Sequence, residues 1–150
     1  MQATVTTALG AFTLTAGPHG ITRVDFGAEQ PIAPASDVLR QACEELCAYA
    51  AGERRQFSVA WDSRPHTAFR RHLYAALSTV GYGETLSYGQ LAARAGHPQA
   101  VRATGTALRL NPVPVFLPCH RILRGDGSIG GYAGGVELKR RLLRLEGVEI

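Results

Sequence analysis

The sequence has few of the residues that build disulfide frameworks or membrane spans. Its 150 residues include three cysteines, an odd number that does not form a disulfide framework in a chain of this length. No apolar run is long enough to cross a bilayer, and the N-terminal residues lack the basic segment and apolar stretch of a signal peptide. We therefore expect a reducing, cytoplasmic setting without membrane contact.

Lysine is almost absent, since fifteen of the sixteen basic residues are arginine. The charge is also unevenly distributed. Residues 1–65 carry five arginines against seven acidic residues, a net charge of −2, whereas residues 66–150 carry eleven basic residues against five acidic ones, a net charge of +6. A basic second half is typical of contact with a polyanion, and a solvated basic surface is the alternative. Arginine suits contacts with phosphates and base edges, although genomic composition bias explains the ratio equally well.

The length allows one domain or two small ones, each with a hydrophobic core. Short runs of β-branched and aromatic residues fill the first third of the chain, and helical periodicity dominates the remainder. The prediction is an α+β protein with a small antiparallel sheet in the N-terminal α/β domain and a mostly helical second domain. The predicted bounds are 1–61 for the first domain, 62–66 for the linker and 67–150 for the second domain.

The first domain is predicted to contain a sheet and one helix. Ser36 is a good N-cap for a helix that runs to about residue 50. Cys43 and Cys47 lie four residues apart on this helix, and two cysteines without a histidine cluster make a poor metal site. We interpret them as core residues and predict no metal. The predicted strands cover 5–9, 12–15, 21–26 and 57–61.

The second domain contains the pattern of a helix-turn-helix. A first helix is predicted at 67–80, a short helix at 88–95 follows the cap residue Ser87, and a helix at 98–110 begins at Pro98. Two helices joined by a short glycine-containing turn in a basic region are typical of DNA binding.

The last of these helices has unusually small side chains. It consists largely of alanine, glycine and threonine, with Arg102 and Arg109 on a similar face. Gly105 costs about 1 kcal/mol of helix stability relative to alanine. Small residues permit close approach to a DNA backbone, and they also permit close packing between helices, so both interpretations stay open.

Asn111 precedes Pro112 and is therefore expected to end this helix, with its side chain bonded to backbone groups of the turn. The following segment, 113–119, contains two further prolines and cannot be a central strand. We predict a stiff, extended lead-in that holds Cys119 at a fixed place relative to the preceding helix.

Cys119 is followed directly by His120 and Arg121. Cysteine reacts as the thiolate, and neighbouring basic or cationic groups raise the thiolate fraction. A buried structural cysteine is the alternative, because free cysteine is among the most buried residue types.

The chain resembles the 6-O-alkylguanine-DNA alkyltransferase family, strongly over residues 66–150 and loosely before them. The resemblance implies a ribonuclease-H-like first domain and a winged-helix-like second domain that contains the helix-turn-helix. Departures are modest, with Gly81, Thr104 and Ala133 standing where other residues are usual. The matching motifs are Tyr82-Gly-Glu-Thr, Ser87-Tyr-Gly-Gln-Leu-Ala, Arg102-Ala, Asn111-Pro-Val-Pro, Pro118-Cys-His-Arg, Gly131-Tyr-Ala-Gly-Gly135 and Leu142-Leu-x-Leu-Glu-Gly147.

By this resemblance, Cys119 accepts an alkyl group from guanine oxygen in a single displacement. His120 is the base, acting through a bridging water, and Glu146 orients it. Tyr88 donates a proton to the departing guanine, and Asn111 belongs to the same catalytic group. Glu146 as a surface acid at a helix end and Tyr88 as an ordinary half-buried tyrosine are the alternatives.

The resemblance also implies double-stranded DNA containing alkylated guanine as the partner, with the target nucleotide flipped out of the duplex. Arg102 fills the gap in the base stack. Reaction is stoichiometric, no cofactor is implied, and we expect a monomer. A lesion-binding module without transfer and a Cys-His hydrolase are the rival functions. The remaining expected contacts are Ala103, Arg109, Ser87 and Gly89 to DNA, and Tyr132, Ala133, Gly134 and Pro114 around the base.

Overall fold

A three-stranded antiparallel sheet, a two-stranded parallel pair and five α-helices make up the protein, which confirms the predicted α+β class. The structure is a computed structural model that describes residues 1–150. The chain divides into two compact units, Met1–Ser63 and Arg64–Ile150. None of the helices combines the length and the apolar character that a bilayer crossing requires.

The sheet of the first unit is a simple meander. Its strands are β1 (Gln2–Thr7), β2 (Gly10–Gly17) and β3 (Gly20–Phe26), in that spatial order. The first strand ends at Thr7, earlier than predicted, because Ala8 and Leu9 form the turn to β2, in which the Thr7 hydroxyl accepts a hydrogen bond from Leu9 N–H at 3.0 Å. Alternate residues such as Phe12 and Leu14 are buried, as expected for a sheet with one covered face.

Helix α1 (Asp37–Ala50) packs on this sheet, and Ser36 caps it as predicted. The predicted strand at 57–61 is wrong, since only Trp61 forms an isolated bridge, to Ile21. The reason is the buried carboxylate of Glu45, which accepts hydrogen bonds from Ser58 N–H at 2.7 Å and Val59 N–H at 3.1 Å. These amides are therefore satisfied without a neighbouring strand.

The second unit is mostly helical. Tyr74 and Leu77 of the first of its helices are fully buried, and the Tyr74 hydroxyl donates to Ala107 C=O at 2.9 Å, which joins two helices through the core. The elements are α2 (Ala68–Leu77), β4 (Leu86–Ser87), α3 (Tyr88–Arg94), α4 (Val101–Arg109), β5 (Ile122–Leu123), which pairs in parallel with β4, and α5 (Val136–Leu145).

Helices α3 and α4 form the predicted helix-turn-helix pair and contact each other. Helix α3 begins with a full capping box, in which Ser87 Oγ accepts from Gln90 N–H and the Gln90 side chain accepts from Ser87 N–H. The predicted start of the next helix at Pro98 is wrong. A turn closed by Ala100 N–H to His97 C=O precedes α4, which begins at Val101 without a side-chain cap.

The segment 113–119 is also not the extended lead-in that was predicted. It folds into a tight turn in which Leu117 N–H donates to Val113 C=O at 2.9 Å. Val115 adopts φ +74°, the one positive φ among the non-glycine residues. This conformation is costly for a β-branched residue and persists only because the surroundings impose it. The turn delivers the chain to Cys119.

Candidate active site

Cys119 begins a short 3₁₀ helix, Cys119–Arg121, directly after the tight turn. The residue is only 8% exposed, yet it lines a cavity of about 540 Å³. The thiol is therefore shielded from bulk solvent but borders a space that a ligand can enter. The other residues around the cavity are Tyr88, Arg102, Gly105, Thr106, Leu108, Arg109, Gly131, Tyr132 and Ala133.

Burial raises the pKa of the Cys119 thiol to about 11, while a hydrogen bond from the Asn111 side chain and the positive charge of Lys139 act in the opposite direction. At neutral pH the resting group is therefore a thiol. Since the thiolate is the nucleophile, the site needs a base to remove the proton.

His120 lies beside the cysteine and is fully buried. Its Nε2 is 2.8 Å from Glu146 Oε2, and its Nδ1 is buried with no hydrogen-bond partner in the protein. Because an ionised carboxylate only accepts hydrogen bonds, we assign the proton of the neutral ring to Nε2, which leaves a lone pair on Nδ1. Burial lowers the pKa of His120, although Glu146 raises it, so the imidazole is neutral at rest.

Glu146 sits at the C-terminal end of α5, where the helix dipole disfavours an acid. Two further residues hold it. Gly83 N–H donates to Oε1 at 3.1 Å, and the Arg121 guanidinium donates to both carboxylate oxygens at 2.8 and 2.9 Å. Gly83 has φ +77°, and a Cβ atom there would lie 3.0 Å from Glu146 C=O. Sequence reasoning missed Gly83, which the Tyr82-Gly-Glu-Thr motif marked. It named Arg121 as a cation beside the thiol, whereas the structure pairs Arg121 with Glu146.

Asn111 ends α4 and closes the turn before the cysteine, as predicted. Its Nδ2 donates to Leu117 C=O at 3.0 Å, and its Oδ1 accepts from Val113 N–H at 3.0 Å. The side chain therefore satisfies backbone groups on both sides of the turn. This arrangement couples the C-terminal end of α4 to the position of Cys119.

Lys139 is another residue that sequence reasoning missed. It is the only lysine in the chain and is fully buried on α5. Its Nζ donates to Ile122 C=O at 2.7 Å and to Gly131 C=O at 3.2 Å. Burial lowers the pKa of Lys139 to about 8, and the negative charge that Cys119 carries as a thiolate acts against that shift. A cation held near the thiol favours the thiolate.

Tyr88 opens α3 and also borders the cavity. Its hydroxyl lies near Gly130, where an added Cβ atom would come within 3.2 Å of it. Burial is the main cause that raises the pKa of Tyr88, with Arg124 opposing and Cys119 adding to the rise. The phenol is therefore protonated at neutral pH and can donate.

Not all of the expected site residues border the cavity. Asn111, His120 and Glu146 do not line the cavity and make the contacts described above instead. Ala103 is exposed on α4 and Gly89 is half-buried in α3. The Ser87 hydroxyl caps α3 by accepting a hydrogen bond from Gln90 N–H. Pro114 is buried in the tight turn, and Gly134 lies in the turn before α5. The predicted residues that do border the cavity are Cys119, Tyr88, Arg102, Arg109, Tyr132 and Ala133.

Comparison with known families matches residues 68–148 to the 6-O-methylguanine DNA methyltransferase, DNA binding domain. The chain belongs to this methyltransferase family. The matched stretch contains Cys119, His120 and Glu146, together with every residue that lines the cavity.

Relatives of this family match nearly the whole length of the chain. A methylated-DNA–protein-cysteine methyltransferase from Methanosarcina acetivorans is 36% identical over 146 residues, which cover 93% of this chain and 93% of that protein. The crystal structure of Mycobacterium tuberculosis OGT in complex with DNA has a TM-score of 0.86 and 38% identity, and the match covers 97% of this chain and 91% of that one.

A second structural relative matches only part of the chain. The crystal structure of S. pombe Atl1 in complex with damaged DNA containing O6-carboxymethylguanine matches with a TM-score of 0.50 and 30% identity. That match covers 55% of this chain and 78% of the Atl1 chain.

Proposed function

We propose that this protein repairs DNA directly by moving an alkyl group from the O6 atom of guanine onto Cys119. The observation that carries the proposal is the position of the Cys119 thiol, which borders the cavity on one side and lies next to the buried His120–Glu146 pair on the other. One side supplies room for a substrate and the other supplies a base.

The first step is removal of the thiol proton. Nδ1 of His120 accepts it through a bridging water, because the side chains of adjacent residues diverge. Glu146 then faces an imidazolium, which it stabilises through the Nε2 contact of 2.8 Å. Lys139 supports the thiolate from α5.

In the second step the sulfur attacks the alkyl carbon, so an S–C bond forms while the C–O6 bond breaks. The electron pair of the broken bond stays on the guanine, which takes up one proton and leaves as ordinary guanine. Tyr88 supplies that proton as a general acid, and the phenolate is later reprotonated from solvent. Because none of the groups around the cavity can cleave a thioether, each molecule reacts once.

The substrate base must leave the duplex to reach the thiol, at a cost of a few kcal/mol. Arg102 and Arg109 are exposed on α4 and border the cavity, so they lie where a DNA strand would pass its mouth. We propose that Arg102 fills the gap left in the base stack. Further DNA contacts come from Ala103, Ser87 and Gly89. The base pocket is formed by Tyr132 and Ala133, together with Gly134 and Pro114.

Residues 67–150 would then form the DNA-binding and transfer domain, acting as a monomer on double-stranded DNA. The reaction consumes a free thiol, which favours a reducing compartment such as the cytoplasm. Cys43, Cys47 and Cys119 are all free thiols.

The test is incubation with a duplex that carries O6-methylguanine, followed by intact mass measurement and peptide mapping. We expect a gain of one CH2 mass on Cys119 and one ordinary guanine restored per protein. Cys119→Ser should bind the duplex without gaining mass, and Cys47→Ser, a matched change outside the cavity, should react normally. Retained binding with unchanged mass in the natural protein would show a lesion-binding module instead.

Arg102→Ala separates DNA handling from chemistry. Its reaction with duplex should slow more than its reaction with free O6-benzylguanine, because the free base does not need to be flipped out. Equal losses with both substrates would remove the proposed role in flipping.

A further inference from the structure

The carboxylate of Glu146 is shared between two basic residues. Oε2 faces His120 Nε2 at 2.8 Å and an Arg121 nitrogen at 2.9 Å, while Oε1 faces the Arg121 Nε at 2.8 Å and Gly83 N–H at 3.1 Å. The histidine therefore provides one of four donors around this group. The planar fork of an arginine matches a carboxylate in two parallel contacts, which fixes both its position and its plane.

Arg121 is itself held on its remaining sides. Its third nitrogen donates to Val80 C=O at 2.6 Å, and its guanidinium carbon lies 5.9 Å from the centre of the Tyr82 ring. The Tyr82 hydroxyl in turn donates to Leu145 C=O at 3.0 Å, next to Glu146. The guanidinium is buried and cannot turn away from the carboxylate without losing these contacts.

The charges of Arg121 and Glu146 cancel each other without any contribution from histidine. Arg121 carries one positive charge against the one negative charge of Glu146, and Lys139 is the other cation that acts on His120. If Arg121 were uncharged, the buried carboxylate would lack its partner and would favour a protonated imidazole beside it. A protonated ring has no lone pair to accept a proton from the thiol.

From this geometry we infer that Arg121 is a positioning residue for the transfer reaction: it holds Glu146 in place and keeps His120 in the neutral form whose Nδ1 accepts the thiol proton. The inference rests on the proposed function and assigns a role to a residue that reaches neither the cavity nor the substrate. The groups that face His120 support its direction, since burial, Arg121 and Lys139 lower the pKa of the ring while Glu146 raises it.

Two substitutions separate the charge of Arg121 from its geometry. Arg121→Met removes the charge at similar length, and Arg121→Lys keeps the charge but loses the two parallel contacts. Arg71→Met, at an exposed position on α2, is the matched control. Each protein is reacted with free O6-benzylguanine between pH 5.5 and pH 9, so that DNA binding does not enter, and the rate of benzyl gain is measured by mass spectrometry.

For the natural protein we expect the rate to fall as pH drops through the titration of His120. In Arg121→Met the midpoint of this fall should move to higher pH, and each unit of movement lowers the rate below the midpoint about tenfold. The rate should recover at high pH. Arg121→Lys should keep the natural midpoint but react more slowly at every pH, and Arg71→Met should match the natural protein.

NMR titration of labelled histidine side chains gives a readout that does not depend on activity. The His120 signal, identified by its loss in His120→Gln, should titrate at higher pH in Arg121→Met than in the natural protein. A uniform loss of rate with an unmoved midpoint would reduce Arg121 to a structural residue and overturn the inference. If Arg121→Met does not fold, Arg121→Lys still tests the inference. A natural reaction rate in Arg121→Lys would overturn the inference as well.

The two levels of the proposal fail differently. If the natural protein gains no benzyl group, the proposed function is wrong. If the natural protein reacts and Arg121→Met shows no shift, only the role of Arg121 is wrong.

Discussion

Glu146→Gln probes the buried network with a change of a single atom type. The carboxylate accepts four hydrogen bonds, from Gly83, His120 and twice from Arg121. An amide has one oxygen, which can accept from two donors, and an NH2 group that must face the other two. The substitution therefore removes the ion pair with Arg121 and places donors against donors.

The expected loss of stability follows from these contacts. Breaking a buried ion pair by removing one partner costs about 3–5 kcal/mol, and the retained amide oxygen places this change at the lower end, at about 3 kcal/mol. For a chain of this size, each kcal/mol lowers Tm by about 3 °C, so we expect a fall of about 9 °C. Glu137→Gln is the control, because the Glu137 side chain is 83% exposed on the same helix and pairs only with Arg140. That change should stay within about 0.5 kcal/mol.

The expected loss of activity has a different origin. The glutamine NH2 can donate to His120 Nε2, which forces the proton of the neutral ring onto Nδ1. The ring then cannot accept the thiol proton, and loss of a general base typically costs about 10²–10⁴-fold in rate.

Stability is followed by thermal unfolding, monitored by the circular dichroism of the helices. Rate is followed by mass gain with O6-benzylguanine. A Glu146→Gln protein as stable and as fast as the natural one would refute the network described here. A slow protein of natural stability would refute the stability argument alone.

Three further changes test individual contacts. Gly83→Ala should destabilise the protein by about 1–2 kcal/mol or more in urea unfolding. The loss should exceed that of Gly127→Ala, because Gly127 has a similar φ but no atom within 4 Å of the new Cβ. Equal losses would mean that the contact with Glu146 is unimportant. Thr104→Val should be neutral or stabilise by up to about 1 kcal/mol in thermal unfolding, because the buried Thr104 hydroxyl has no partner, and a clear loss would reveal one. Lys139 binds its proton only up to about pH 8 when folded but up to its ordinary pKa of 10.5 when unfolded, so the unfolded state binds more protons between these values. The free energy of unfolding, measured relative to Lys139→Met, should therefore rise with pH across this window by at most about 1.4 kcal/mol per unit, and a fall would reverse the sign of the argument.

Several parts of the fold were predictable because they depend on local chemistry. Ser36 and Ser87 cap helices through side-chain contacts three residues away, and such contacts can be recognised in the sequence itself. The end of α4 was predictable for the same reason, since Asn111 precedes a proline and its Oδ1 accepts a hydrogen bond from Val113 N–H, two residues further on.

The errors fall where distant residues decide the conformation. The strand expected at 57–61 does not form, because the Glu45 carboxylate on α1 accepts hydrogen bonds from the backbone amides of Ser58 and Val59. The segment before Cys119 turns back on itself although its prolines favour an extended chain. A position such as Val115, with its positive φ, contradicts local preference and cannot be predicted from it.

The sequence by itself determined the family of this protein, because the motifs around Cys119 and His120 are specific to it, and it predicted a nucleophile and a base at these two residues. Only the tertiary structure decided how that chemistry is supported. Gly83, Arg121 and Glu146 meet across 63 residues of chain, and Lys139, two turns before Glu146 on α5, is buried against Ile122 C=O. Buried charges acquire partners only when the chain folds, so no local pattern could have shown that one carboxylate is shared between a histidine and an arginine.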